Sequence, residues 1–199
     1  DGLRAAWNLV DVPGNGLTAD AAHLKDSLDG SGLLDGMGRL FLEYDWAPRK
    51  VAVYYSHNSM LVNFCLGSET REGEIGKSGP LHDYFHSRHR LRYLLEEMLY
   101  QYDFVAPEQA EKGLLSSFQV LFLPGISALS GRETAALKRF LRAGGMIVAD
   151  SPPGLYDELG RKRSSAPLEG IRGVHLTGRP FDDRDAGLRG KIRSLLASA

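Results

Sequence analysis

Residues able to do chemistry gather where one apolar run stops. MIVAD (146–150) is followed at once by Ser151, Pro152, Pro153 and Gly154, and then by Asp157 and Glu158. A hydrolase of the G-x-S-x-G kind presents its nucleophile on a sharp turn after such a strand, with glycines on either side. Counting back from Gly154, the nucleophile slot falls on Pro152, and Ser151 is one place off. Proline holds φ at about −65°, the wrong backbone for a strained turn. The edge is present but no nucleophile stands on it, and no catalytic residue is assigned. Cys65, the single thiol, lies in LVNFCLG after a different apolar run and reads as a small buried hydrophobe.

His82, His86 and His89 are spaced as helix-borne metal ligands can be. No H-E-x-x-H motif accompanies them, and Arg88, Arg90 and Arg92 would repel a cation, so no metal is expected. His57, in SHNS with Asn58, follows the run VAVYY and is the histidine best placed for a polar site, although a structural role such as holding a loop is the favoured reading. Asp150 ends a buried run, and a carboxylate there must find donors. The backbone N–H groups of the following turn are the natural ones. Asp157, Glu158, Arg161 and Arg163 read as a salt-bridged cluster, although paired carboxylates can also act on a glycosidic bond. The candidate ligand edge is therefore His57, Asn58, Asp150, Ser151, Asp157 and Glu158. Neither G-x-G-x-x-G after a strand nor a phosphate loop is present, and no cofactor is expected.

The elements that position these residues follow from periodicity. VAVYY (51–55), YDFVA (102–106), FQVLFLPG (118–125) and MIVAD read as strands. Residues 84–100 place Leu91, Leu94, Leu95, Met98 and Leu99 on one helical face. PEQAEKGLL supplies one or two helical turns. Ser130 and Glu133 form an S-x-x-E capping box that opens a helix with Leu137, Phe140 and Leu141 inward, closed by Gly144 and Gly145. AGLRGKIRSLLAS near the end keeps Leu188, Ile192 and Leu195 in phase. Such alternation predicts an α/β fold: a parallel sheet with helices on both faces. Ligands in such sheets bind outside the carboxyl ends of the strands. Those ends are Ser56-His57-Asn58, Ala106-Pro107, Pro124-Gly125 and Asp150-Ser151-Pro152. A helix is expected over 31–45. Residues 66–82, with Gly67, Gly73, Gly76 and Gly79, read as a loop or flap.

The 199 residues carry a net charge of −1, with 43% hydrophobic and 25% charged residues. That balance favours neither nucleic acid nor a membrane surface, and no apolar run reaches membrane-spanning length. One cysteine excludes an internal disulfide and leaves the compartment unknown. The start at Asp1 suggests a piece of something longer.

VAVYYSHNS, YQYDFVAPEQAEKG, FQVLFLPGISALSGRE, FLRAGGMIVADSPPGLYDELGRKR and LEGIRGV, in that order, resemble the beta-galactosidase trimerisation domain of large beta-galactosidase-like glycoside hydrolases. The resemblance spans about residues 48–174. It implies a flavodoxin-like, doubly wound, mostly parallel sheet with the shape of the glutamine amidotransferases. It also implies that chemistry belongs to a separate (β/α)₈ barrel on the N-terminal side. The amidotransferase cysteine corresponds to Pro152, and no motif here matches that enzyme's His and Glu. The implied organisation is an arm and lead-in helix (1–47), the amidotransferase-like domain (48–174) and a C-terminal extension (175–199).

The leading expectation is a non-catalytic assembly domain of a multidomain glycoside hydrolase. Its partners would be other domains of the same polypeptide and further copies of itself, with carbohydrate near the strand-end edge. The flap, the stretch 86–92 and the N-terminal arm are the expected contact surfaces, with Tyr84 and Phe85 as anchors. Two rivals stand beside it. One is a stand-alone amidotransferase-like hydrolase using Ser151 or Cys65 with His57 as base. The other is a carbohydrate- or small-ligand-binding module using Asp150, His57 and Asn58.

Overall fold

A computed structural model describes residues 49–66 and 79–197, with side chains from 83 onward in the second segment. The expected arm, the helix over 31–45 and most of the flap lie outside the described residues. Five parallel strands form one sheet in the order β2-β1-β3-β4-β5. These are β1 (Val51–Tyr54), β2 (Tyr102–Val105), β3 (Val120–Leu123), β4 (Met146–Ala149) and β5 (Val174–Leu176). The register aligns Val51 with Tyr102 and Val120, Val120 with Met146, and Ile147 with Val174. The helices are α1 (His57–Leu66), α2 (Gly79–Glu97), α3 (Pro107–Glu111), α4 (Gly131–Arg142) and α5 (Ala186–Ala197). The fold is a flavodoxin-like α/β sandwich of helices around a parallel sheet, and that strand order places its switch point between β1 and β3.

Side chains alternate across the sheet and build two cores. Ala52, Tyr54, Leu121, Leu123, Ile147 and Ala149 pack with Ala110 of α3 and Ala136, Leu137 and Phe140 of α4. Val51, Val53, Val120, Phe122 and Val148 pack on the other face with Leu91, Leu94 and Leu95 of α2 and Leu188 and Ile192 of α5. Each fully buried leucine or isoleucine contributes roughly 1.5–3 kcal/mol. Burial on both faces explains why β1, β3 and β4 are apolar throughout rather than alternating.

The capping box forms as read: Ser130 Oγ accepts from Glu133 N at 3.1 Å, and Glu133 Oε2 accepts from Ser130 N at 2.7 Å. Gly144, at φ +93°, ends α4 with its N–H on Leu141 O and the N–H of Gly145 on Phe140 O. These are the two bonds of a Schellman cap. α2 ends in the same way at a residue that is not glycine. Leu99 adopts φ +61°, its N–H meets Glu96 O, and the N–H of Tyr100 meets Leu95 O. Leu99 is therefore 91% exposed instead of sitting on the inward face.

Further expectations are revised. α1 follows β1 directly and was not foreseen, because its inward side carries Ser59, Val62 and Asn63 while Leu61, Phe64 and Leu66 stand outward. Cys65 shares that outward exposure and is not a core residue. The flap is helical at both its ends, since Leu66 closes α1 and Gly79 opens α2. Residues 175–199 carry most of β5 and the buried Leu188 and Ile192 of α5.

Candidate functional site

At the β1–β3 switch point Ser56, Ser59, Asn63 and Tyr84 bond to the protein itself, while the buried Ser127 hydroxyl has no partner. Ser56 starts α1, and its Oγ accepts from Ser59 N at 3.1 Å. Ser59 Oγ donates to Ala128 O at 2.9 Å and accepts from Ala128 N at 3.1 Å. Asn63 Nδ2 donates to Gly125 O, and the Tyr84 hydroxyl donates to Ser56 O at 3.0 Å. Gly125 sits at φ +62°, and a Cβ there would come within 2.9 Å of Tyr84 Cα, so the turn after β3 needs glycine. Tyr84 is thus buried in the core and is not a surface anchor; Phe85, its neighbour, is exposed.

Asp150, 4% exposed, closes β4. Its Oδ2 accepts from Ser87 Oγ at 2.6 Å and Gly125 N at 2.8 Å, and its Oδ1 from Ser151 Oγ at 3.1 Å. Ser87 Oγ in turn accepts from Phe181 N at 3.0 Å. The stronger donors come from α2 and the end of β3, and the Ser151 backbone of the following turn, to which sequence alone pointed, adds a weaker one. Burial pushes the Asp150 carboxyl above its usual value, against the pull of the Ser87, Gly125 and Ser151 bonds. Among the described residues, no hydrogen bond joins Ser151 to a histidine. Asp150 ties three elements together, and Ser151 hangs on it.

The loop beyond is held by an arginine rather than by carboxylate pairs. Arg163 donates to Gly154 O (2.8 Å), Tyr156 O (2.6 Å) and Leu129 O (2.8 Å). Asp157 Oδ1 accepts from Leu159 N and Arg161 N within the turn. The Arg161 N–H chiefly, with that of Leu159 and the charges of Arg161 and Arg163, holds the exposed Asp157 carboxyl below its usual range. No ion pair joins Asp157, Glu158, Arg161 and Arg163, so the expected salt-bridged cluster is a hydrogen-bonded turn instead.

Two hollows flank the carboxyl ends of β1 and β2. One, of about 910 Å³, is lined by His57, Asn58, Glu108, Glu111, Arg132, Glu133 and Glu158. Three members of the predicted edge, His57, Asn58 and Glu158, thus meet in one place. Asp150 and Ser151 are bonded to each other and do not line it, and neither does Asp157. Glu133, 1% exposed, forms part of this wall with its Oε1 accepting from the Tyr54 hydroxyl at 2.8 Å. Burial first, and the Glu133 charge next, hold the Tyr54 phenol protonated far above its ordinary range. The other hollow, of about 580 Å³, is lined by Phe85, Arg88, His89, Arg92, Phe104 and Gln109. Tyr55 and Ala106 border both. The sequence reading missed this second hollow; its signal was Phe85, Arg88 and Arg92 at helical spacing, with aromatics at the ends of β1 and β2.

No family model matches the chain, and no curated protein matches it. Solved structures do. The GH42 exo-carrageenase from Bacteroides ovatus superposes with TM-score 0.55 at 12% identity, over 83% of this chain and 19% of that one. A catalytic mutant of a GH42 beta-galactosidase from G. stearothermophilus superposes with TM-score 0.55 at 18% identity, over 73% of this chain and 19% of that one. The chain shares its fold with a segment of GH42 enzymes. It spans about a fifth of the length of these two. The beta-galactosidase from Bifidobacterium adolescentis, 22% identical, is matched over 55% of its length with TM-score 0.45.

Proposed function

We propose that this chain is a non-catalytic assembly module of a beta-galactosidase-like glycoside hydrolase, of the trimerisation-domain kind. The observation that carries this reading is the occupied edge of the sheet. Where an amidotransferase-like enzyme would present a nucleophile, the chain has Pro152. Around it, Asp150, Ser87, Ser59, Asn63 and Tyr84 are bonded to the protein itself. A hydrolase needs a nucleophile within reach of a base; Ser151 instead donates to Asp150. The GH42 likeness of the fold supports the parentage. Exposed Leu61, Phe64 and Leu66 on α1 offer apolar surface for association.

Two measurements on the chain test this. Light scattering is expected to return the mass of a homo-oligomer; a monomer at every concentration removes the assembly role. A chromogenic beta-galactoside is expected to remain intact. Turnover that Ser151→Ala abolishes would instead establish the stand-alone hydrolase.

A further inference from the structure

Three of the arginines of α2 and α5 are answered by acids. Arg90 pairs with Asp183 at 3.1 Å, Arg189 with Glu97 at 2.5 Å, and Arg92 Nε lies 3.7 Å from Glu96. Among the described residues the exposed Arg193 has no acid partner, and neither has the half-buried Arg88. Its guanidinium lies over three rings, 5.0 Å from the Tyr55 centroid and 5.2 Å from those of Tyr84 and Phe85. No carboxylate among the described residues pairs with it. Its Nη1 is buried without a hydrogen-bond partner; Arg92 Nε and Arg189 Nε are also buried without one, but those two guanidinium groups have a carboxylate nearby. Arg88 and Arg92 line the 580 Å³ hollow, whose described lining contains no acid.

A buried guanidinium N–H without an acceptor is unfavourable, and the planar fork is shaped for a two-oxygen anion. Three aromatic residues, Tyr55, Phe85 and Phe104, supply apolar walls, while His89 and Gln109 supply polar groups for hydroxyls. The volume suits a small ligand, and the position is outside the carboxyl ends of two parallel strands. We infer that this hollow binds an acidic sugar, its carboxylate or sulfate on Arg88 and Arg92 and its ring against the aromatic walls. The oxyanion follows from the unanswered guanidinium; the sugar rests on the glycoside-hydrolase reading above.

The test is calorimetric titration of the chain with D-galacturonate, D-galactose and inorganic sulfate. Galacturonate is expected to bind, galactose to bind at least about tenfold more weakly, and sulfate to displace galacturonate. Arg88→Met is expected to weaken galacturonate about tenfold or more, and Arg88→Lys to recover part of that loss. Arginine side-chain NMR signals of the unsubstituted protein should shift on adding galacturonate, which keeps the test independent of how the variants fold. Silence toward galacturonate, equal binding of galactose, no displacement by sulfate, or full affinity in Arg88→Met each overturns the proposal. If galacturonate fails while the chain still forms its oligomer, the acidic-sugar site falls and the assembly reading stands.

Discussion

The two hollows share Tyr55 and Ala106 and carry opposite charge. Glu108, Glu111, Glu133 and Glu158 line one, against Arg132 and His57. Arg88, Arg92 and His89 line the other. The cause is which part of each helix reaches the edge. Glu108 and Glu133 stand in the first turns of α3 and α4, where exposed backbone N–H groups favour carboxylates. Arg88 and Arg92 come from the body of α2, where no helix end dictates the charge. The difference separates structure from readiness. Glu133 has both oxygens occupied by the protein's own donors, while Arg88 has a buried nitrogen with nothing to bind.

The hardest blow to that contrast would fall on Glu133. Glu133→Ala strands the Tyr54 hydroxyl and the Ser130 N–H and dismantles the capping box. The expected cost is about 3 kcal/mol, from the buried Tyr54 hydroxyl and the part-buried Ser130 N–H left without their acceptor. Urea unfolding should show it as a lower midpoint at unchanged slope. A loss below about 1 kcal/mol would make Glu133 a replaceable lining residue, and the acidic hollow would no longer differ in kind from the basic one.

How far this was visible in sequence depends on how local each cause is. β1, β3 and β4 are legible because both faces are buried and every residue is apolar. Ser130, Glu133 and Gly144 are legible because capping geometry has fixed offsets. α1 hides because its inward residues, Ser59 and Asn63, bond across to Ala128 and Gly125, partners more than sixty positions away. β5 hides because it is three half-exposed residues at a sheet edge. The same holds for the site. The strand-end rule gathered His57, Asn58 and Glu158 from across the chain. It did not bring in Asp157, whose carboxylate is used by its own turn. Arg88 could not be singled out, because its isolation appears only once Asp183 and Glu96 are seen beside its neighbours.

Asp150 extends the comparison to a third acid, with an effect smaller than that of Glu133→Ala. Its carboxyl is raised above 3.8 in the folded chain, burial outweighing its hydrogen bonds. The folded state therefore holds this proton more tightly than the unfolded state. That contribution to stability is complete below the unfolded pKa and is lost as pH rises through the folded one. The slope cannot exceed about 1.4 kcal/mol per pH unit for one group. Asp150→Asn should remove it, so the stability difference between wild type and variant should change as pH rises above the ordinary carboxylate range, in the direction of relative loss for wild type. A constant difference would mean that the three donors hold Asp150 ionised as readily as water does.

The smallest expected change is in the stability of Arg88→Met, and it bears most directly on whether the basic hollow is poised for a ligand. Methionine keeps an unbranched stem and a polarisable sulfur against Tyr55, Tyr84 and Phe85, so much of the packing survives. What disappears is attraction between a cation and three rings, worth about 0.5–1 kcal/mol at partly exposed sites. What is relieved is the desolvation of Nη1, a term of similar size and opposite sign. The two nearly cancel, and the stability read from urea unfolding should change by less than about 1 kcal/mol in either direction. A residue that binds ligand without holding up the fold behaves in this way. A loss as large as that of Glu133→Ala would make Arg88 a structural cation, closing the distinction between the two hollows from the basic side.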